Sequence, residues 1–488
     1  MGVSGLWNIL EPVKRPVKLE TLVNKRLAID ASIWIYQFLK AVRDKEGNQL
    51  KSSHVVGFFR RICKLLFFGI KPVFVFDGGA PSLKRQTIQK RQARRLDREE
   101  NATVTANKLL ALQMRHQAML LKRDADEVTQ VMIKECQELL RLFGLPYIVA
   151  PQEAEAQCSK LLELKLVDGI VTDDSDVFLF GGTRVYRNMF NQNKFVELYL
   201  MDDMKREFNV NQMDLIKLAH LLGSDYTMGL SRVGPVLALE ILHEFPGDTG
   251  LFEFKKWFQR LSTGHASKND VNTPVKKRIN KLVGKIILPS EFPNPLVDEA
   301  YLHPAVDDSK QSFQWGIPDL DELRQFLMAT VGWSKQRTNE VLLPVIQDMH
   351  KKQFVGTQSN LTQFFEGGNT NVYAPRVAYH FKSKRLENAL SSFKNQISNQ
   401  SPMSEEIQAD ADAFGESKGS DELQSRILRR KKMMASKNSS DSDSDSEDNF
   451  LASLTPKTNS SSISIENLPR KTKLSTSLLK KPSKRRRK

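Results

Sequence analysis

Gly169-Ile170-Val171-Thr172-Asp173-Asp174-Ser175-Asp176 is a short β-type apolar run that ends abruptly in carboxylates. The same pattern occurs three more times. Leu27-Ala28-Ile29 ends in Asp30, and Val73-Phe74-Val75-Phe76 ends in Asp77. Tyr147-Ile148-Val149-Ala150 is followed by Glu153 and Glu155. Short apolar runs bounded by turn residues read as buried strands. Strands separated by helical patterns read as a mostly parallel α/β sheet flanked by helices. In such sheets ligands meet the carboxyl ends of the strands. The chain therefore aims many acids at one rim of one sheet, and acids crowd together only around a cation.

The cation that fits an all-oxygen donor set is a hard divalent metal such as Mg2+ or Mn2+. Phosphate-handling sites often hold two such ions roughly 4 Å apart. Each acid also has a plainer reading. Asp30, before Ala31-Ser32, suits a helix cap, Glu153 and Glu155 suit a first helical turn, and Asp174 and Asp176 suit a polar loop. The coincidence of four strand ends of one polarity favours the metal.

Composition points to the partner. The chain of 488 residues carries 73 Lys and Arg against 57 Asp and Glu, a net charge of +16. Such an excess suits a polyanion. No run approaches the about 20 apolar residues of a membrane span. Leu6 stands where a myristoylation site needs Ser or Thr, and no secretory signal opens the sequence. Nucleic acid is thus expected rather than a membrane. Cys63, Cys136 and Cys158 are far apart and show neither zinc nor disulfide spacing. They read as buried thiols of a reducing compartment. The eight histidines form no paired zinc motif.

Along the chain, an N-terminal region is expected over 1–95, with an amphipathic helix near Ser53–Phe68. A Lys- and Arg-rich segment follows Pro81, and a helical arch is expected over 80–125. A second α/β region spans 124–250 and contains a helix–tight turn–helix pattern over 213–245. The turn is Gly229-Leu230-Ser231-Arg232-Val233-Gly234-Pro235. Core segments continue over 251–350. From 351 to 488 apolar periodicity fades, and the composition reads as a disordered tail.

Several long motifs then fall in one order. They are Met1-Gly2-Val3-x-Gly5-Leu6-Trp7, Ile29-Asp30-Ala31-Ser32-Ile33-Trp34-Ile35-Tyr36-Gln37, Val75-Phe76-Asp77-Gly78, Glu153-Ala154-Glu155-Ala156, Thr172-Asp173-Asp174-Ser175-Asp176 and Leu222-Gly223-Ser224-Asp225-Tyr226. Together they resemble the flap endonuclease superfamily. Phe38 to Asp44, Phe58 to Leu66 and Asp173 to Gly182 resemble its fungal members of the xeroderma pigmentosum group G type, which act in nucleotide-excision repair.

The resemblance implies a Mg2+-dependent, structure-specific endonuclease that cuts a phosphodiester near a single-strand/duplex junction, such as a bubble or 5′ flap. A replication flap endonuclease or a junction resolvase is the alternative within the superfamily, and a silent DNA-binding scaffold is the alternative outside it. By motif match, Asp30, Asp77, Glu153 and Glu155 would hold one metal, and Asp174, Asp176 and Asp225 the second. Lys84 and Arg91 match a basic pair of the first arch helix that steadies the scissile phosphate; seven positions apart, they share a helical face. Tyr36 matches an aromatic that stacks on a base. Gly2, Arg43, Gly229, Ser231, Arg232 and Gly234 are the other expected DNA contacts. The glycine-rich turn would meet phosphates through its backbone and hold a K+ ion. Lys276-Lys277-Arg278, Lys281 and Lys285 would extend that face.

The sequence departs from the repair type in one respect. Such members carry a long acidic spacer between the nuclease halves, whereas here Arg95 reaches Asp124 in one short stretch. That weakens the expectation of binding to the transcription/repair factor TFIIH. In the tail, Gln358, Leu361, Phe364 and Phe365 match the box that binds the sliding clamp PCNA. Lys480-Lys481 with Lys484 to Lys488, and Arg429 to Lys432, read as nuclear import signals. The nucleus is the expected location. The Ser/Asp alternation from Asp441 to Asp448 suits phosphorylation.

Overall fold

The structure, a computed structural model, describes residues 2–41, 52–87, 89, 128–190, 195–265, 271–354 and 383–395. The expected sites Arg43, Arg91, Gln358, Leu361, Phe364 and Phe365 lie outside these residues, as do most of the arch and the import signals.

Seven strands form one sheet: β1 (Arg15–Val17), β2 (Arg26–Asp30), β3 (Lys71–Phe76), β4 (Tyr147–Val149), β5 (Gly169–Val171), β6 (Arg184–Arg187) and β7 (Val196–Leu200). Their spatial order is β1-β7-β6-β5-β2-β3-β4. β2 runs parallel to both β3 and β5, β3 parallel to β4, and β5 parallel to β6. Only β7 runs against its neighbours β6 and β1. All four apolar runs quoted above are strands of the parallel part, so their carboxyl ends share one rim.

Side chains along the strands alternate between two cores, as the two-residue strand period dictates. Leu27, Ile29, Phe74 and Phe76 face a core built with helices Ala31–Ala41, Ser53–Phe67 and Gln130–Leu142. Ala28, Val73 and Val75 face the other core, with helices Leu6–Leu10, Ala154–Glu163, Met201–Phe208, Gln212–Leu222 and Pro235–Glu244. Local chemistry sets the helix starts. The Thr129 hydroxyl accepts the Met132 N–H at 3.3 Å. Asn211 and Asp214 form a reciprocal capping box.

Two features differ from the sequence reading. β1, β6 and β7 are short and of mixed polarity, and only their pairing stabilises them as strands. In the tail, read as disordered from 351, Lys335–Phe354 is helical to its end and Lys384–Asn395 forms a further helix. The second of these has few apolar residues and becomes ordered against a surface far upstream in sequence.

Candidate metal and nucleic-acid site

β2 ends in Asp30, which is 1% exposed. Its Oδ1 accepts the Ile33 N–H at 3.0 Å, so the acid does cap the helix Ala31–Ala41. Its Oδ2 accepts the Thr172 hydroxyl at 3.1 Å. Thr172 Oγ1 in turn accepts the Asp174 N–H at 3.0 Å, which couples the β2 and β5 rims. Asp77 follows β3 directly. Its N–H donates to Ser32 Oγ at 2.9 Å, and its Oδ1 accepts the Ala154 N–H at 2.8 Å. One carboxylate thus fixes the start of the helix carrying Glu155, while Glu153 sits at the cap position of that helix.

Oxygens of Asp77, Glu153 and Glu155 all lie within 4.8 Å of one another, a spacing that can hold a metal ion. On the other side, Asp174 Oδ1 accepts the Asp176 N–H at 2.9 Å. Tyr301 donates its hydroxyl to Asp176 Oδ2 at 2.8 Å. Asp176 Oδ1 is buried with no hydrogen-bond partner among the described residues. Asp225 arrives from the turn after helix Gln212–Leu222, and the Tyr226 hydroxyl lies 3.4 Å from Glu153 Oε1. Glu153, Glu155, Asp174, Asp176 and Asp225 line one small cavity with Lys84, Phe180 and Tyr226. The buried Asp176 oxygen and the clustered hard donors fit a hard divalent ion.

Electrostatics supports the same reading. Burial pushes Asp30 well above the usual carboxylate range, and the Asp77 charge adds to it. Glu155 is pushed the same way by burial, then by Asp30 and Asp174. Asp176 rises through burial and its neighbours Asp174 and Asp225. Burial raises Asp174 to about 6. Acids packed like this need shared protons or a cation.

Among the described residues, Lys84 supplies the one ammonium lining this cavity. It descends from the short helix at 82–87, with Nζ 2.6 Å from Glu153 Oε2 and 3.4 Å from Asp225 Oδ2. Burial alone would lower its pKa, but the charges of Glu153, Glu155 and Asp225 outweigh that and hold it above its usual range.

The chain start closes the site. Gly2 has φ +76, and a Cβ there would sit 2.2 Å from Asp174 Oδ1 and 2.6 Å from Asp176 Oδ1. Only glycine combines that left-handed backbone with so close an approach. The Val3 N–H donates to Ser175 Oγ at 2.9 Å and Trp7 Nε1 to the Asp173 carbonyl at 3.1 Å, tying the start to the acidic loop.

The predicted turn joins helices Gln212–Leu222 and Pro235–Glu244. A Cβ at Gly229 would lie 2.3 Å from the Gly223 nitrogen, so this glycine lets two backbone strands touch. Arg232 is exposed with φ +65, and a Cβ at Gly234, at the open start of the second helix, would meet nothing within 4 Å. Ser231 is exposed too, but its hydroxyl is engaged within the chain. Its hydroxyl donates to the Lys285 carbonyl at 2.8 Å and accepts the Ile287 N–H at 3.0 Å. The expected basic face is also smaller than its sequence suggests, because Lys276 pairs with Glu244 and Arg278 with Glu240. Lys277, Lys281 and Lys285 remain exposed. Tyr36 is 43% exposed on the helix that follows Asp30.

Residues the sequence reading missed are Tyr301, Tyr226 as a partner of Glu153, and the Thr172 bridge. Asp173 was also missed: it turns away from the cavity, accepting Gln37 Nε2 at 2.6 Å and the Asn188 N–H at 2.9 Å. Thr172 and Asp173 stood inside a quoted motif and could have been found there. Nothing local marks Tyr301.

Residues 1–98 match the XPG N-terminal domain and 144–225 the XPG I-region. The flap endonuclease 1-1 of Paramecium tetraurelia is 30% identical over 391 residues, covering 77% of this chain and 94% of that one. The chain belongs to the flap endonuclease superfamily, in its XPG branch. The DNA repair protein rad13 of Schizosaccharomyces pombe is 98% identical over 376 residues, 77% of this chain but 34% of the relative. The chain therefore spans about a third of the length of that curated relative. A solved catalytic core of Rad2 in complex with DNA substrate is 49% identical with a TM-score of 0.61, covering 71% of this chain and all of that one.

Proposed function

We propose that this XPG-branch nuclease is a Mg2+-dependent, structure-specific DNA endonuclease of nucleotide-excision repair. It hydrolyses a phosphodiester at junctions between single strand and duplex. The observation that carries this reading is the convergence of seven acids and Lys84 beside a helix–turn–helix element. A related core solved with a DNA substrate supports it.

Asp30, Asp77, Glu153 and Glu155 would hold one Mg2+, and Asp174, Asp176 and Asp225 the other, with Mn2+ able to substitute. Bound there, the metal pair supplies an activated water and neutralises the leaving oxygen. The chain's own groups do the rest. Lys84 presents an ammonium to the scissile phosphate, and Arg91, outside the described residues, is its proposed second donor. Tyr36 stacks on an unpaired base at the junction. Gly2 keeps the strand path to Asp174 and Asp176 free of side chain. Backbone groups at Gly229 and Gly234, with Arg232, meet duplex phosphates, and turn carbonyls hold K+. Ser231 contributes backbone only.

The deciding experiment compares cutting of a closed bubble, a 5′ flap and a four-way junction in Mg2+ and in EDTA. Bubble and flap cutting that leaves a 5′-phosphate supports the repair reading. Paired symmetric cuts of the four-way junction alone would replace it with a resolvase. The short connection between the halves favours a second reading, a general flap endonuclease, which would cut the flap and spare the bubble.

The raised carboxylates predict a pH effect. An acid whose folded pKa exceeds its unfolded value costs stability as pH rises past the unfolded value. For Asp174 this cost builds from about pH 4 to about pH 6, and Asp30, Glu155 and Asp176 extend it upward. The metal-free protein should melt lower at about pH 7.5 than at about pH 5.5, and Mg2+ should raise Tm more at the higher pH. Equal Mg2+ shifts at both pH values would contradict a carboxylate metal site.

The clamp and the nucleus complete the proposal. Ala at Phe364 and Phe365 should weaken clamp binding by at least about ten-fold in titration calorimetry, because two buried aromatics are lost. Unchanged affinity would end that assignment. Contact with TFIIH is the weakest expectation, given the short connection between the halves.

A further inference from the structure

The helix Lys384–Asn395 lies outside the sheet domain's main run of sequence yet belongs to its core. Ser383 starts it, its carbonyl accepting the Leu386 and Glu387 N–H groups at 3.1 Å. Leu386, Ala389 and Leu390 follow at i, i+3, i+4 spacing and share one face. That face packs against helices Met201–Phe208 and Pro235–Glu244. Leu390 is 2% exposed and Ala389 7%, in the same apolar cluster as Leu237 and Leu239.

An ion cluster fixes the register of this docking. Arg385 donates from Nε to Glu240 Oε1 at 2.8 Å and from Nη2 to Oε2 at 2.6 Å, a parallel fork. Glu240 also receives Arg278, from helix Pro274–Asn280. The carboxylate is only 12% exposed. One acid therefore binds three helices together: the second helix of the turn element, the helix of the basic cluster, and the tail helix. Neither arginine is left to contact phosphate through the groups so engaged.

We propose that residues 383–395 are a brace for the duplex grip, holding helix Pro235–Glu244 so that its amino-terminal turn at Gly234 is rigidly set for duplex phosphates. The proposal rests on reading the Gly229–Pro235 turn as a duplex contact. Apolar docking sets the brace in place, and the Arg278–Glu240–Arg385 cluster orients it. It acts on DNA affinity rather than on the hydrolytic step, because the metal-side acids belong to the strand rim and the turn before Gly229.

The test uses the full chain. Leu390→Asp and Arg385→Glu should each weaken binding of a 5′-flap duplex in Ca2+ by about five-fold or more, while the single-turnover rate in Mg2+ at saturating DNA stays within about two-fold. Amide exchange should quicken in both 384–395 and 235–244. Leu390→Met should stay near the parent, and Arg385→Lys, which keeps the charge without the fork, should fall between the parent and Arg385→Glu. Faster exchange with unchanged DNA affinity would overturn the brace, as would a fall in rate without a loss of affinity. So would unprotected exchange of 384–395 in the unaltered chain. Arg232→Ala separates the two readings. If it weakens binding and Leu390→Asp does not, the brace fails alone; if neither weakens binding, the turn reading fails with it.

Discussion

Asp77→Asn should cut the rate of 5′-flap cleavage in Mg2+ by about a thousand-fold or more, with junction binding in Ca2+ nearly unchanged. Losing several kcal/mol of metal-borne charge stabilisation corresponds to that factor, at about 1.4 kcal/mol per decade. Asparagine is the informative replacement. Its amide oxygen can still accept the Ala154 N–H that Asp77 Oδ1 takes at 2.8 Å, so the helix start survives. What disappears is one negative charge from the Asp77, Glu153, Glu155 set. Asp77 is also exposed, so the substitution opens no cavity in either core. Parent-level cutting by this variant would sink the metal assignment. A loss of binding with the rate at saturation preserved would make Asp77 a DNA contact instead.

Lys84→Met should slow single-turnover cleavage by about a hundred-fold and change the Kd for junction DNA only a few-fold, since one well-placed donor to a developing charge is worth about that much. Methionine keeps much of the apolar stem and removes the charge. In the structure the ammonium lies between Glu153 and Asp225, which places a positive charge beside the acids of both proposed metal groups. Those acids keep it charged across the working pH range, so its contribution should not titrate near neutrality. A pure binding defect in the variant would remove Lys84 from the chemistry. A rate loss that recovers only at high pH would also contradict a permanently charged group.

Two parts of this molecule differ in how readily the sequence discloses them. The acids at the ends of β2, β3 and β5, and those following β4, were legible because a parallel strand is a short apolar run with a definite direction. The acid that ends such a run must stand at the carboxyl rim. Asp225 obeys no such rule. It reaches the cavity because helix Gln212–Leu222 ends there, and its motif, rather than any periodicity, marked it. Tyr301 carries no mark at all. It meets Asp176 across 125 residues of sequence only because helix Pro295–Leu302 packs beside the acidic loop.

The basic face shows the opposite limit of a reading from sequence. Lys276 and Arg278 read as phosphate ligands because composition counts charges and not their partners. Folding brings Glu244 and Glu240 against them, and the pairs leave a narrower positive surface. The Ser231 hydroxyl is engaged in the same way by the 285–287 segment. The tail helix was hidden because four apolar residues in a polar segment cannot hold a helix alone. Its stability comes from a surface some 145 residues away in the chain.

By itself, then, the sequence determined the parallel sheet, the rim on which its acids gather, and the superfamily, because strand direction and motif order are local properties. Tertiary structure decided which acids share an oxygen cluster, which lysine stands among them, which basic residues stay free for DNA, and where the tail docks. Those depend on distances between segments far apart in the chain, and only the packed cores set them.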